Sequence, residues 1–110
     1  MIIEDIEKLL APIGRAAVAA AEVLALATTV QKNAALEAAA QAIRRRRDEI
    51  LAANAQDLEV ARTRGLAAAM IDRLALDAAR VEAMARGVEE IARLVDPVGT
   101  VLAEWERPNG

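Results

Sequence analysis

The sequence contains no cysteine, no histidine, no serine, no phenylalanine and no tyrosine. Each absence closes a route. Without cysteine there is no disulfide framework, no thiolate nucleophile and no thiolate metal ligand. Without histidine the commonest general base and the commonest metal ligand are gone. Without serine there is no seryl nucleophile. Trp105 is the one aromatic residue, so the large rings that dominate most cores and interfaces are almost missing. Five glycines are scattered, and none builds a GxGxxG or P-loop word for phosphates. The first residues, Met1-Ile2-Ile3-Glu4-Asp5, are acidic, unlike a signal or transit peptide. No uninterrupted apolar run reaches the roughly 18 residues of a membrane span. Ala16 to Ala27 comes nearest, and Glu22 breaks it. These features predict a cytoplasmic protein that makes no use of a membrane.

What is present is alanine, at about a quarter of 110 residues, far above ordinary usage. Alanine is the best helix former but offers little area to bury. A core of Ala, Leu, Ile, Val and Met in so short a chain is expected to be marginal by itself. Burial against a second chain or against further polypeptide is therefore expected. The net charge is -3, which disfavours a general nucleic-acid surface.

The periodicity predicts about five helices. Ile6, Leu9, Leu10 and Ile13 recur at helical spacing until Pro12 and Gly14 interrupt them. A second stripe (Ala17, Ala20, Ala21 and Leu24) runs from Arg15 to Ala27. Thr28 is the expected N-cap of the next helix, with Gln31 completing a capping box. Leu36, Ala39, Ala40, Ile43 and Ile50 form its inner face. Asn54 is placed as the cap of a helix ending near Arg64, with Gly65 as its C′ residue. A short helix over Leu66 to Leu74 follows. Asp77 then caps a helix whose stripe (Val81, Met84, Val88, Ile91 and Val95) fits core packing better than a coiled-coil seam. Asp96-Pro97 is the expected stop.

Beyond Gly99 the period changes to two. Val101, Ala103 and Trp105 alternate with Leu102, Glu104 and Glu106, which predicts a strand. Arg107-Pro108-Asn109-Gly110 follows as a turn. The organisation expected is a helical region over 1–98 and the first strand and turn of a hairpin over 99–110. A lone strand cannot satisfy its own backbone groups, so its partner is expected elsewhere.

The run Arg44-Arg45-Arg46-Arg47 has two readings, a phosphate or nucleic-acid patch and a basic helix segment. Four successive helical residues fan out about 100° apart and share no face. Asp48 and Glu49 follow at once, and no aromatic is interleaved for base stacking. The segment reading is preferred. The acid pairs Glu4-Asp5 and Glu89-Glu90 diverge on a helix and are assigned to helix ends and surfaces. The strand face holding Glu104 and Glu106 is read as exposed. Trp105 fits either an interface anchor or ordinary sheet packing.

Several words in order carry more than these statistics: QKNAAL at 31–36, DEILAANAQDL at 48–58, IDRL at 71–74, RVEAMA at 80–85, DPVG at 96–99 and EWERPNG at 104–110. Together they resemble the N-terminal region of the gamma-glutamyl phosphate reductase (glutamate-5-semialdehyde dehydrogenase) family, from about Gly14 to Gly110. The first dozen residues match that pattern poorly, and the arginine run is more basic than the pattern leads one to expect. The resemblance implies a place in the aldehyde dehydrogenase superfamily. It implies NADPH-dependent reduction of L-glutamyl 5-phosphate in proline biosynthesis, through a cysteine thioacyl intermediate. It further implies a much longer polypeptide, homo-oligomeric through a β-ribbon that the 99–110 segment opens. No catalytic, cofactor-binding or metal-binding residue carries over to this chain. Only Val101, Leu102 and Trp105 are carried over, as candidates for ribbon packing or subunit contact. The expectation is an N-terminal fragment, inactive alone, partnered by the remainder of the enzyme or by itself. A stand-alone helical self-association module and a basic-helix binding module remain as alternatives.

Overall fold

The computed structural model describes residues 3–109, except the side chain of Glu4. Five helices account for its regular structure: α1 (Ile3–Leu26), α2 (Thr29–Arg45), α3 (Arg47–Thr63), α4 (Ala68–Leu74) and α5 (Ala78–Ala92). The expected number is met, but several boundaries move. By proximity the chain forms two compact units, one of Met1–Thr29 with Val95–Gly110 and the other of Val30–Leu94.

In the first unit, α1 runs for 24 residues with Pro12 inside it. The sequence pattern alone predicts a break there. Proline removes one backbone bond and crowds the preceding turn, at a cost of about 3 kcal/mol. The flanking alanines and leucines hold the helix together across it. By length and composition Asp5–Leu26, with mean hydropathy 1.7, suffices to cross a membrane. A search for uninterrupted apolar runs overlooks it, because Arg15 and Glu22 fall inside the stretch. All of its apolar side chains are exposed.

The other part of this unit begins with a turn. Asp96 Oδ1 accepts from the Val98 amide at 3.0 Å, and its Oδ2 accepts from the Thr29 hydroxyl at 2.9 Å. The Thr100 amide closes the turn on the Pro97 carbonyl at 3.2 Å. Gly99 has φ +85°, the positive value a type II turn needs at its third position. Residues 100–107 carry no regular secondary structure, and no strand is present among the described residues. The expected strand is thus not seen. An alternating pattern makes a ladder only when a second strand supplies the other half of its hydrogen bonds. Pro108 and Asn109 turn as expected, and Gly110 lies outside the described residues.

In the second unit, α2 begins directly after Thr28, the expected cap. α2 and α3 meet at Arg46, whose backbone (φ −98°, ψ 17°) leaves helical values. The hydrogen bonds continue through the joint: Arg46 N–H donates to Ala42 and Ile50 N–H to Arg46. α3 then passes straight through Asn54, where the sequence pattern predicts the start of a new helix. It ends as expected at Gly65, with φ +74°. Leu66 N–H reaches back to Ala61 O at 3.1 Å and Gly65 N–H to Arg62 O at 3.0 Å, the paired bonds of a Schellman ending. Asp77 caps α5 as expected, its Oδ1 accepting from Arg80 N–H at 2.7 Å.

α3 packs against α4 and α5, and the buried apolar core consists of Ala40, Ala61, Val81 and Ala85. The inner face of α5 therefore differs from the expected stripe. Val81 and Ala85 are buried and Val88 is half-buried, but Met84, Ile91 and Val95 are exposed. α5 also stops at Ala92, before the expected Asp96-Pro97 boundary, so Val95 is no longer helical. The small side chain of Ala85 lets the backbone approach closely, which a pattern search for bulky residues misses.

Candidate functional site

The described residues hold no catalytic constellation, and no group of three or more acidic residues among them could hold a metal ion. Two clusters of second-unit polar side chains organise the molecule. The exposed segment after α5 carries the residues marked out as candidate interface.

The first cluster centres on Arg44, in the last turn of α2. Its guanidinium meets two carboxylates of α5, Glu82 and Glu89. Nε donates to Glu82 Oε2 at 3.0 Å, and Nη2 donates to Glu82 Oε1 at 2.8 Å. Nη2 also donates to Glu89 Oε2 at 3.1 Å, and Nη1 pairs with Glu89 Oε1. Glu82 and Glu89 are seven residues apart, so they stand two turns apart on one helix face. The flat guanidinium fork fits such a pair as a lysine could not. Hydrogen bonds to Glu89 and then to Glu82 raise the Arg44 pKa above its ordinary value. Hydrogen bonding to Arg44 lowers the pKa of both carboxylates. Arg86, one turn along, adds a longer pairing with Glu82 at 3.9 Å.

The rest of the arginine run is divided. Arg46 pairs with Glu49 at 2.8 Å and Arg47 with Asp48 at 3.3 Å. The four side chains do not converge on one surface, and three of them are engaged with acids of the same unit.

The second cluster was not visible in the sequence. Asn54 is buried in the middle of α3, and its amide bridges the link between α4 and α5. Nδ2 donates to Leu74 O at 2.9 Å, and Oδ1 accepts from Leu76 N–H at 2.8 Å. Beside it, Arg80 Nη1 donates to the carbonyls of Asp72 and Ala75, each at 2.5 Å. These residues close the end of α4, whose last carbonyls lack helical partners. The signal available was an asparagine inside an otherwise apolar helical word, which read equally well as a cap.

Val101, Leu102 and Trp105 are all strongly exposed, Leu102 at 95%. The structure brings them onto no common packing surface among the described residues of their unit. Glu104 and Glu106 are exposed, as expected.

Nor do the described residues fit a dinucleotide. The glycines are dispersed, Gly65 and Gly99 serve turns, and Arg44 is committed to two carboxylates.

No family model matches the chain. Individual proteins do. It is 57% identical over 106 residues to gamma-glutamyl phosphate reductase of Paramagnetospirillum magneticum, covering 96% of this chain and 25% of that protein. The enzyme of the same name from Methylocella silvestris gives the same identity and coverage. Among solved structures, the crystal structure of gamma-glutamyl phosphate reductase from Thermotoga maritima matches with a TM-score of 0.77. It is 44% identical, with 81% of this chain and 22% of that one covered. In sequence and in fold, the chain is thus similar to the N-terminal region of gamma-glutamyl phosphate reductases and spans about a quarter of their length.

Proposed function

We propose that this chain is the N-terminal structural part of an NADPH-dependent reductase of the aldehyde dehydrogenase superfamily. The complete enzyme would convert L-glutamyl 5-phosphate to L-glutamate 5-semialdehyde in cytoplasmic proline biosynthesis. One observation carries the reading: identity of 57% maintained across 96% of the chain with reductases of that name. The balance of the reaction is acyl phosphate, NADPH and a proton giving aldehyde, phosphate and NADP+. The cofactor supplies the hydride. Its site is not one the described residues can form, and a chain without cysteine cannot provide the thiolate for acyl transfer. The role left to these residues is scaffolding. The Arg44 fork ties α2 to α5, and the Asn54 bridge ties α3 to the α4–α5 link. Val101, Leu102 and Trp105 are proposed to pack in the β-ribbon and at subunit contacts of the assembled, homo-oligomeric enzyme.

The test is reconstitution. The 110-residue chain is mixed with a polypeptide corresponding to the remaining three quarters of a relative. Phosphate-dependent formation of NADPH from glutamate semialdehyde and NADP+ is then followed. Activity is expected from the mixture and from neither part alone. Activity that does not depend on the 110-residue chain would overturn the scaffold reading.

A further inference from the structure

The chain has three asparagines, and the fold treats them unequally. Asn33 lies within α2 and is half-buried. Asn54 is buried within α3, with Nδ2 donating to Leu74 O and Oδ1 accepting from Leu76 N–H. Asn109 is exposed in the turn at 108–109, and its side chain has no hydrogen-bond partner among the described residues. The following residues differ as well: Ala34 and Ala55 after the first two, Gly110 after the third.

An asparagine carries its own electrophile. The backbone nitrogen of the next residue can lose its proton and attack the side-chain carbonyl carbon, closing a five-membered imide. The reaction needs an amide side chain free to swing, a nitrogen free to lose its proton, and a backbone free to bring the two together. Inside a helix that proton is held by the carbonyl four residues back, and the backbone is fixed. Asn33 and Asn54 are blocked in this way, and Asn54 is also held at both ends of its amide. Asn109 lies in no helix and its side chain is unrestrained. The glycine that follows it has no Cβ to crowd the attacking nitrogen. We propose that Asn109 is a site of self-modification, converting to aspartate and isoaspartate through a cyclic imide with Gly110.

Closure forms the bond from the Gly110 nitrogen to Asn109 Cγ and breaks the bond from Cγ to the side-chain nitrogen, which leaves as ammonia. Water then opens the ring. Addition at Cγ restores the ordinary peptide bond and leaves aspartate. Addition at the backbone carbonyl carbon leaves isoaspartate, with the chain running through Cβ. Either product adds a negative charge to a chain already at -3, near Glu104 and Glu106 in sequence. Isoaspartate also lengthens the backbone by a single carbon. Where the 99–110 segment opens the β-ribbon proposed above, that atom falls in the turn, and turn length sets strand register. The modification itself does not depend on that reading.

Incubation of the 110-residue chain at neutral and at mildly alkaline pH, followed by trypsin and mass spectrometry, tests the proposal. The three asparagines fall in separate peptides, 33–44, 48–62 and 94–110, because trypsin does not cut between Arg107 and Pro108. Asn109 holds the one side-chain amide in 94–110, so a gain there has a single source. The mass gain of amide-to-acid conversion is expected in 94–110 first, as paired aspartate and isoaspartate peaks. It should be faster at the higher pH, because the attacking nitrogen must lose a proton. In the folded chain Asn109 is expected to convert at least about tenfold faster than Asn33 or Asn54, a barrier lower by about 1.4 kcal/mol. Gly110→Val is expected to slow the conversion at least about tenfold, since a branched side chain crowds the nitrogen and stiffens the backbone. In urea Asn33 and Asn54 should speed up while Asn109 keeps its rate. Five results overturn the proposal: no mass gain in 94–110, conversion of Asn33 or Asn54 as fast as Asn109 in the folded chain, an unchanged rate in Gly110→Val, equal rates at the two pH values, or a rise at Asn109 in urea as large as that at Asn54. None bears on the reconstitution experiment, so the two readings fail separately.

Discussion

Arg44 gives the clearest residue-scale test, because two carboxylates depend on one cation. Glu82 and Glu89 have lowered folded pKa values, caused first by hydrogen bonding to Arg44. A lowered folded pKa means that the unfolded chain binds protons first as pH falls. The stabilisation is therefore complete above the ordinary carboxylate value of 4.5, declines below it, and is gone beneath the folded values. Thermal midpoints should be level near neutral pH and drop in that acid window. In Arg44→Met the acid-side drop should shrink, and carboxyl titration by NMR should return Glu82 and Glu89 toward their ordinary range. Arg44→Lys should restore only part of the effect, since an ammonium cannot grip both carboxylates in one plane. Asn54 makes a second test. Asn54→Ala strips the partners from Leu74 O and Leu76 N–H in a buried place, with an expected loss of about 1–3 kcal/mol in urea unfolding. Neither role was legible beforehand. The sequence displays Arg44 as one of four arginines, and only the meeting of α2 with α5 distinguishes it. Asn54 has a cap's chemistry, but the groups it caps lie 20 and 22 residues away.

At the scale of the element, local signals sufficed where the physics was local. Gly65 and Asp77 mark helix ends because the unpaired groups they serve are within a few residues. Pro12 misled because a breaker's cost is finite, and a long alanine- and leucine-rich helix can carry it. Pro12→Ala should accordingly raise the helix signal in circular dichroism and stabilise α1 by up to about 3 kcal/mol. Absence of any gain would mean that the helix relaxes around the ring at little cost. The α5 stripe misled for another reason: periodicity gives the repeat but not which side faces inward, and Ala85 outweighs Ile91 because it permits close approach. The family words have jobs here: the asparagine of LAAN bridges the α4–α5 link, the arginine of RVEAMA holds the end of α4, and the aspartate of DPVG builds the turn after α5. Residues 100–107 could not be judged locally, since a strand is made by its neighbour.

At the scale of the whole molecule, the excess of small residues governs behaviour. Val81 is the largest fully buried side chain, and the rest of the buried apolar set is alanine. Burial of about 25 cal/mol per Å2 of apolar surface gives such a core little margin.

The Asn54 bridge also sets up an internal clock. Leu76 belongs to no helix, and an amide in a link of that kind ordinarily trades its hydrogen for deuterium quickly. Here the amide is held by a side chain rooted in α3. Its exchange must wait until α3 and the link part company, so it follows the opening of the second unit rather than fraying of the link. One slow amide among fast neighbours would time that opening without any substitution at all.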